Sequence, residues 1–568
     1  MGQKNRKKMV TTQGLEGARP HRDELWHRLQ QERFDVVIIG GGINGAGIAR
    51  DAALRGLKVA LLEKGDFGSG TSFRSSKLIH GGLRYLETYE FGLVRESTAE
   101  RAVQMELAPH LARPVPFMFP VYKGDPHGLL FMDMGLWLYD MLALFRVPKV
   151  HRAMRERGVL SREPSLRSQG LIGGLHYYDC STDDGRLTLE NILDAISLGA
   201  VCLNYAPVEK ILRDSKGAIK GVGVGDTATG GRSAEVHAPL VISTLGSWTD
   251  TALKGMGERR EKMVRATRGT HLVVPRDRIP VANAVAMLSP RDQRPLFVIP
   301  WGEHTYVGTT DVDHEEGPDE VFASRDEVDY ILEATNHYFP KQNVDRGDIT
   351  GIWSGLRPLV HQPGVESTSK VSREHEIRDS EVGLLILIGG KLTTYRLMAK
   401  ETVDRALEVL ERLDELPEKV GASKTKHRPL PGGVGLDRMG AKTRVADISE
   451  RFGISLKLAD HLLHTYGRRA GLVLRGASET DRELVDRELE FIWAEVDFAV
   501  HKEMALDLRD VMVRRTLLAL KEAHRSLVSA PEVAKRMGRL LNWDRREEAR
   551  QVEVYTRWLK RSMEAVDA

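Results

Sequence analysis

Hydrophobic and polar positions follow three successive patterns along the chain. From Phe34 the segment FDVVIIG is a β-branched apolar block ended by glycine, GGINGAGIARDAALRG follows with small residues at helical spacing, and KVALLEK is a second apolar block. Blocks of the first kind predict buried parallel strands, so the three segments predict a βαβ unit, the seed of a doubly wound α/β domain. In the centre, LVISTLGSW, THLVVP, PLFVIPW and TYVGTTDV alternate with turns and predict an antiparallel sheet inserted into that domain. From about Leu436 charged helical periodicity takes over, as in DRELVDRELEFIWAEVDFAVHKEMALDLRDVMVRRT, and predicts a separate helical domain. GASKTKHRPLPGG, residues 421–433, has the glycines and prolines of a linker before it. Residues 1–33 are polar, with one short amphipathic piece, HRDELWHRLQQ, and read as an extension ahead of the fold.

One segment breaks the globular pattern. Leu129 to Val147, LLFMDMGLWLYDMLALFRV, is largely apolar, with Arg146 near its end and with Asp133 and Asp140, which sit seven apart and share one helical face. Such a helix either packs within the protein or dips into one leaflet of a bilayer. No segment offers the uncharged apolar length of a spanning helix.

At 568 residues the chain should form two or three domains, and 41 % hydrophobic with 29 % charged residues is a globular composition. A formal net charge of +3 gives no support to a nucleic-acid partner. Cys180 and Cys202 are too few for a disulfide framework or a structural metal site, so no metal and a reducing compartment are expected. The basic start MGQKNRKK has no apolar stretch after it, and no secretory signal is expected.

Gly40, Gly42 and Gly45 form GxGxxG between a predicted strand and a predicted helix, the context that makes this pattern specific for a dinucleotide. The first glycine permits the turn, the second admits a pyrophosphate, the third allows close packing, and the helix N-terminus offers N–H groups to phosphate. Glu63, 18 residues after Gly45, suits a ribose hydroxyl and repels a 2′-phosphate, which makes NADP improbable. The fingerprint alone leaves NAD and FAD open. GSGTSFRSSKLIHGGLRYLE, residues 68–87, is rich in hydroxyl, glycine and basic groups and suits an extended run along a flavin, with Ser75 and Ser76 toward the pyrophosphate and ribityl chain.

Together, GGGINGAGIARDAALRG and SSKLIHGGLRYLE resemble the FAD-dependent, aerobic, quinone-linked sn-glycerol-3-phosphate dehydrogenases, within the wider group of glycine-oxidase-like and D-amino-acid-oxidase-like flavoenzymes. RGTHLVVP, VIPWGEHTYVGTTDV, SGLRPL, GGKLTTYR, TYG and RDVMVRRT extend the resemblance from Phe34 nearly to the C-terminus. One departure is visible. Where the family reads alanine-threonine-glycine-proline-tryptophan, this chain has Thr244, Leu245, Gly246, Ser247 and Trp248, so the family's threonine hydroxyl is missing at Leu245.

The resemblance implies a discontinuous Rossmann-like FAD-binding domain (34–115, 176–262 and 351–412), an antiparallel-sheet substrate cap (116–175 and 263–350) and a C-terminal helical domain (434–560). For FAD it implies Gly40, Gly42, Ile43, Asn44, Gly45 and Glu63, then Thr71, Ser75, Ser76, Lys77, Leu78, His80 and Gly81. Val208, Gly246 and Trp248 follow, with Gly390, Lys391, Leu392 and Thr393 at the pyrimidine edge. A helix N-terminus and Lys391 would stabilise reduced flavin there, and Thr393 or Thr394 is expected to cap the helix that follows. For substrate it implies Arg84, Tyr85, Arg357 and Arg373, the arginines gripping phosphate. Catalytic roles fall to His271, Arg357 and Lys391. His271 is the leading candidate for general base, with an orienting histidine as the alternative.

The activity implied is oxidation of sn-glycerol 3-phosphate to dihydroxyacetone phosphate, with electrons passed to a quinone at the inner face of the cytoplasmic membrane. A cytoplasmic, peripherally membrane-associated protein is expected, and a homodimer is left open. The alternatives are a glycerol-3-phosphate oxidase that reduces oxygen to peroxide, a flavoenzyme for another small anionic alcohol or amine, and a flavin-binding interaction protein without turnover.

Overall fold

The computed structural model describes residues 22–86, 89–258, 261–365, 373–381, 383–436, 441–486 and 489–567. Val36–Ile39 lies at the centre of a six-stranded sheet, parallel to Val59–Leu62 on one side and Leu240–Ser243 on the other. Val201–Leu203 and Leu384–Gly389 extend it in parallel, and His375–Glu381 closes one edge in antiparallel. The five parallel strands are buried, as their apolar sequences require, whereas the edge strand HEIRDSE is only partly covered. Helices Ile43–Arg55, Asp184–Ser197 and Tyr395–Arg412 pack together in this unit.

A ten-stranded sheet forms the second layer system. Its long strand Val264–Pro275 pairs with His304–Gly308 and, over most of its length, with Gly351–Val360. Residues 351–360 therefore lie in this sheet, although the sequence assigned them to the nucleotide-binding part. Both sheets take apolar strands, and only long-range register separates them.

The N-terminal segment also differs from expectation. Arg22–Gln31 is a helix whose Leu25, Trp26 and Leu29 are buried in the nucleotide-domain core, and Arg22 pairs with buried Asp226 at 2.8 Å. The fold thus begins before Phe34, because even a single apolar stripe is enough to dock a short helix.

The helical region packs on the large sheet through one continuous core that includes Ile352, Trp353, Leu518 and Leu520. It is also tied to the nucleotide domain by buried ion pairs: Asp66 accepts from Arg514 Nε at 2.6 Å and Arg515 NH1 at 2.7 Å, and Glu503 from Arg186 NH1 at 2.6 Å.

Helix Leu129–Leu142 turns its acidic face inward. Leu136, Tyr139 and Asp140 are buried, and His151 bridges Asp140 through Nδ1 at 2.7 Å and Asp133 through Nε2 at 3.2 Å. Leu130, Phe131, Met134, Trp137, Met141, Leu144 and Phe145 are left on the outside. Among the described residues, no helix is long and apolar enough to cross a membrane.

Candidate active site

A cavity of about 540 Å³ runs between the two sheets. At one end is the glycine turn. Gly40 has φ +108°, a conformation that excludes ordinary side chains, and a Cβ on Gly45 would sit 2.7 Å from Thr244 Oγ1. The N–H of Gly41 donates to Glu63 Oε2 at 2.7 Å and that of Gly65 to Oε1 at 2.8 Å. Burial raises the Glu63 carboxyl, and these two donors oppose the shift. Helix Ile43–Arg55 has no side-chain cap, and Ile43 N–H donates to Ser72 Oγ at 2.9 Å. A turn stripped of side chains, a helix N-terminus and an acid fit the diphosphate and ribose of a dinucleotide.

The altered TLGSW motif keeps a structural hydroxyl in another place. Thr244 Oγ1 donates to the carbonyls of Ile39 and Gly40, each at 3.0 Å, and so holds the glycine turn itself. Trp248 Nε1 donates to Asp319 at 2.8 Å, and Lys64 reaches the same carboxylate at 2.7 Å.

The segment from Thr71 to His80 forms one wall. Thr71, Ser75, Ser76, Leu78 and His80 line the cavity, as do Ile43, Asn44, Val208 and Gly246. Lys77, Gly45 and Gly81 do not. Lys77 is buried, with Nζ donating to Asp184 Oδ1 at 2.6 Å and the Phe73 carbonyl at 3.0 Å, so its side chain braces the segment. Ser75 is likewise engaged: its N–H and Oγ donate to Asp184 Oδ2 at 2.9 and 2.6 Å. A Cβ on Gly81 would collide with Tyr139 and Thr98, which makes that glycine a packing residue.

At the far end the cavity meets His271, Arg357, Arg373 and Lys391. His271 and Gly269 lie two apart, on one face of Val264–Pro275, and Arg357 comes from the neighbouring strand. The Arg357 guanidinium lies over Gly269, where any Cβ would collide with it, and therefore beside His271. It donates to Thr309 Oγ1 at 3.0 Å and the Thr310 carbonyl at 3.1 Å, and faces Asp311 at 3.2 Å. His271 lies inside its strand, opposite Gly308 on one neighbour and Trp353 on the other. Burial holds its pKa well below the ordinary imidazole range, helped by the cations of Arg357 and Lys77, so the ring is neutral at neutral pH.

Gly390, Lys391, Leu392 and Thr393 form the turn before Tyr395–Arg412 and line the cavity. Burial, then Arg373, pushes the Lys391 ammonium down to about 7. Thr394 occupies the N-cap position without a side-chain cap bond, while Thr393 Oγ1 is 3.2 Å from both the N–H and the carbonyl of His80, joining the two walls. Burial pushes His80 down to about 4, with Asp179 opposing and Lys391 assisting. The side chains of Arg84 and Tyr85 lie outside the described residues.

Sequence reasoning missed Asp184, Trp353 and Tyr306, which brace this wall, and Arg509 and Arg514 of the helical region, which line the cavity. RDVMVRRT carries part of the family resemblance, but nothing in its spacing says that Arg509 and Arg514 reach the cavity.

Residues 35–405 match the model of the FAD dependent oxidoreductase family, and residues 423–548 that of the C-terminal domain of alpha-glycerophosphate oxidase. Glycerol-3-phosphate dehydrogenase 2 of Mycobacterium tuberculosis is 39 % identical over 537 residues, covering 93 % of this chain and 88 % of that protein. The aerobic glycerol-3-phosphate dehydrogenase of Staphylococcus haemolyticus is 36 % identical over 503 residues, 87 % of this chain and 89 % of that protein. The structure of the glycerol-3-phosphate dehydrogenase from Bacillus halodurans complexed with FAD superposes with a TM-score of 0.78 at 30 % identity, covering 96 % of this chain and 98 % of that one. The glycine turn, the cavity it opens into and the helical region thus belong to one framework, and the chain is a member of the FAD-dependent oxidoreductase family, among the glycerol-3-phosphate dehydrogenases.

Proposed function

We propose that the chain oxidises sn-glycerol 3-phosphate at C2 to dihydroxyacetone phosphate and passes the electrons to a membrane quinone. The observation that carries this reading is one cavity joining the dinucleotide turn to a neutral histidine, two arginines and a lysine. Bound FAD supplies the two-electron acceptor for the C2 hydride.

The residues of the chain then have distinct tasks. Arg357 and Arg373 match a phosphate dianion in charge and in donor geometry. Lys391 adds a third positive group when protonated, and an anion bound beside it favours that form. His271, neutral and buried, suits acceptance of the C2 hydroxyl proton. Trp353 and Tyr306 pack around the buried ring of His271 and hold it in place.

The quinone reading is supported by the outward apolar face of Leu129–Leu142 and the exposed cations Arg146, Lys149, Arg152 and Arg155 next to it. An apolar surface with a basic fringe suits the inner face of a membrane with anionic headgroups. In this reading the protein is cytoplasmic and peripheral, its two free thiols buried. Oxygen is the rival acceptor, because the helical region matches a domain named for an oxidase. Enzyme given glycerol 3-phosphate and a short-chain quinone in air decides between them. The proposal expects dihydroxyacetone phosphate and quinol in equal amounts with little peroxide, and stoichiometric peroxide with unreduced quinone would reject it.

A further inference from the structure

We propose that Ser76 relays the substrate hydroxyl proton to His271, an inference that rests on the reading of the cavity as a glycerol 3-phosphate site. The argument begins with the two ring nitrogens. Nδ1 of His271 is shut off from solvent and has no hydrogen-bond partner among the described residues. Nε2 lies 2.9 Å from Ser76 Oγ. The nitrogen able to exchange protons with the cavity is therefore already in contact with a hydroxyl that lines the same cavity.

Both partners are held in place. The His271 ring is 2 % exposed and stacks on Trp353 with centroids 4.7 Å apart and planes at 12°. On the strand beside it Gly308 leaves no room to spare, since a Cβ there would be 2.8 Å from the ring carbon Cγ. A ring flip that exchanged the nitrogens would have to open this packing. On the serine side, Tyr306 OH donates to the Ser76 carbonyl at 2.9 Å, and Asp184 accepts from Ser75 N–H and Oγ. Trp353 Nε1 also donates to the Ser75 carbonyl at 3.2 Å, so a single indole orients the base and the backbone that presents the hydroxyl.

The step balances simply. The C2 hydroxyl gives its proton to Ser76 Oγ while Ser76 gives its own to His271 Nε2. The O–H electron pair becomes the carbonyl π bond as the C2 hydride leaves to the two-electron acceptor of this family. Ser76 ends as it began, and His271 ends as imidazolium. Burial and the neighbouring cations keep the ring neutral beforehand, so it is ready to accept. The relay requires the tautomer with hydrogen on Nδ1 and a bare Nε2. Either tautomer leaves Nδ1 unpartnered, so the packing does not choose and the proton position is open to measurement.

The test uses holoenzyme, with Ser76→Ala and Ser76→Thr, and follows anaerobic flavin reduction at saturating glycerol 3-phosphate in H2O, D2O and their mixtures. Ser76→Ala should be slower by on the order of 100-fold with KM changed less than about twofold, the size of a lost proton-transfer path. Ser76→Thr should recover most of the rate, and the wild-type proton inventory should curve as two protons move together. Wild-type speed in Ser76→Ala, or a loss carried by KM alone, would overturn the relay. Should Ser76→Ala fail to hold FAD, the Ser76→Thr rate and the wild-type inventory decide, a linear inventory counting against the relay. A second readout needs no turnover: 15N NMR of histidine-labelled enzyme, assigned by the signal lost in His271→Gln, should show hydrogen on Nδ1, and hydrogen on Nε2 would refute the relay. If glycerol 3-phosphate fails to reduce wild-type enzyme at all, the substrate reading has failed, whereas the tautomer still reports on the Ser76 contact.

Discussion

Removing the aromatic residues from the outer face of Leu129–Leu142 and its following loop should release the protein from membranes without touching the chemistry. Phe131, Trp137 and Phe145 are 56 %, 48 % and 54 % exposed. Aromatic side chains bury on the order of 200 Å² each, so each presents about 100 Å² outward. At ~25 cal/mol/Å² that is about 2.5 kcal/mol per residue on transfer into lipid. Replacing all three by glutamate removes roughly 7 kcal/mol, on the order of 10⁵ in partition, before the cost of the charges is counted. Flotation with vesicles containing anionic lipid measures the release, and reduction of a soluble dye measures the active site. The triple variant should stay at the bottom of the gradient, lose quinone reductase activity and keep dye activity. Leu136→Glu on the same helix is the contrast, since Leu136 is fully buried in the core and this variant should lose folding and dye activity together. A triple variant that still floats with its quinone activity intact would refute this assignment of the face.

Three further outcomes follow from the site. Gly42→Val places a side chain where the turn meets Ser72 Oγ, 3.3 Å from the added Cβ, and should purify without FAD, as its visible spectrum would report. Arg357→Ala should raise KM for glycerol 3-phosphate roughly ten- to hundredfold, the loss of one charge-assisted contact of about 1.5 to 3 kcal/mol, with the flavin spectrum unchanged. Lys391, held at about 7, loses its proton as pH rises through that value, so KM should climb over the next unit or so of pH, and Lys391→Met should flatten that dependence in initial-rate measurements.

Much of this was legible in the sequence because its signals are local. The glycine turn, its flanking strand and helix, and Glu63 are set by backbone conformation and spacing within one βαβ unit. Asp184 and Trp353 were not legible. Each reaches the Ser75–Lys77 segment from elsewhere in the chain, Asp184 from over 100 residues away, and only sheet register sets Trp353 opposite His271. The same limit moved Gly351–Val360 from one sheet to the other. Helix Leu129–Leu142 shows a different one: periodicity located the face bearing Asp133 and Asp140, but His151, which draws that face inward, comes after the helix ends. In Arg22–Gln31 the polar majority masked three residues that dock the helix.

The account depends most on a phosphorylated secondary alcohol giving its hydride to bound FAD. Anaerobic addition of sn-glycerol 3-phosphate, glycerol and lactate in parallel to the purified holoenzyme, watched as loss of flavin absorbance, tests this directly. Bleaching within the mixing time of a turnover by glycerol 3-phosphate, with glycerol and lactate inert at the same concentration, is the predicted result. Equal bleaching by glycerol, or none by glycerol 3-phosphate, would contradict it.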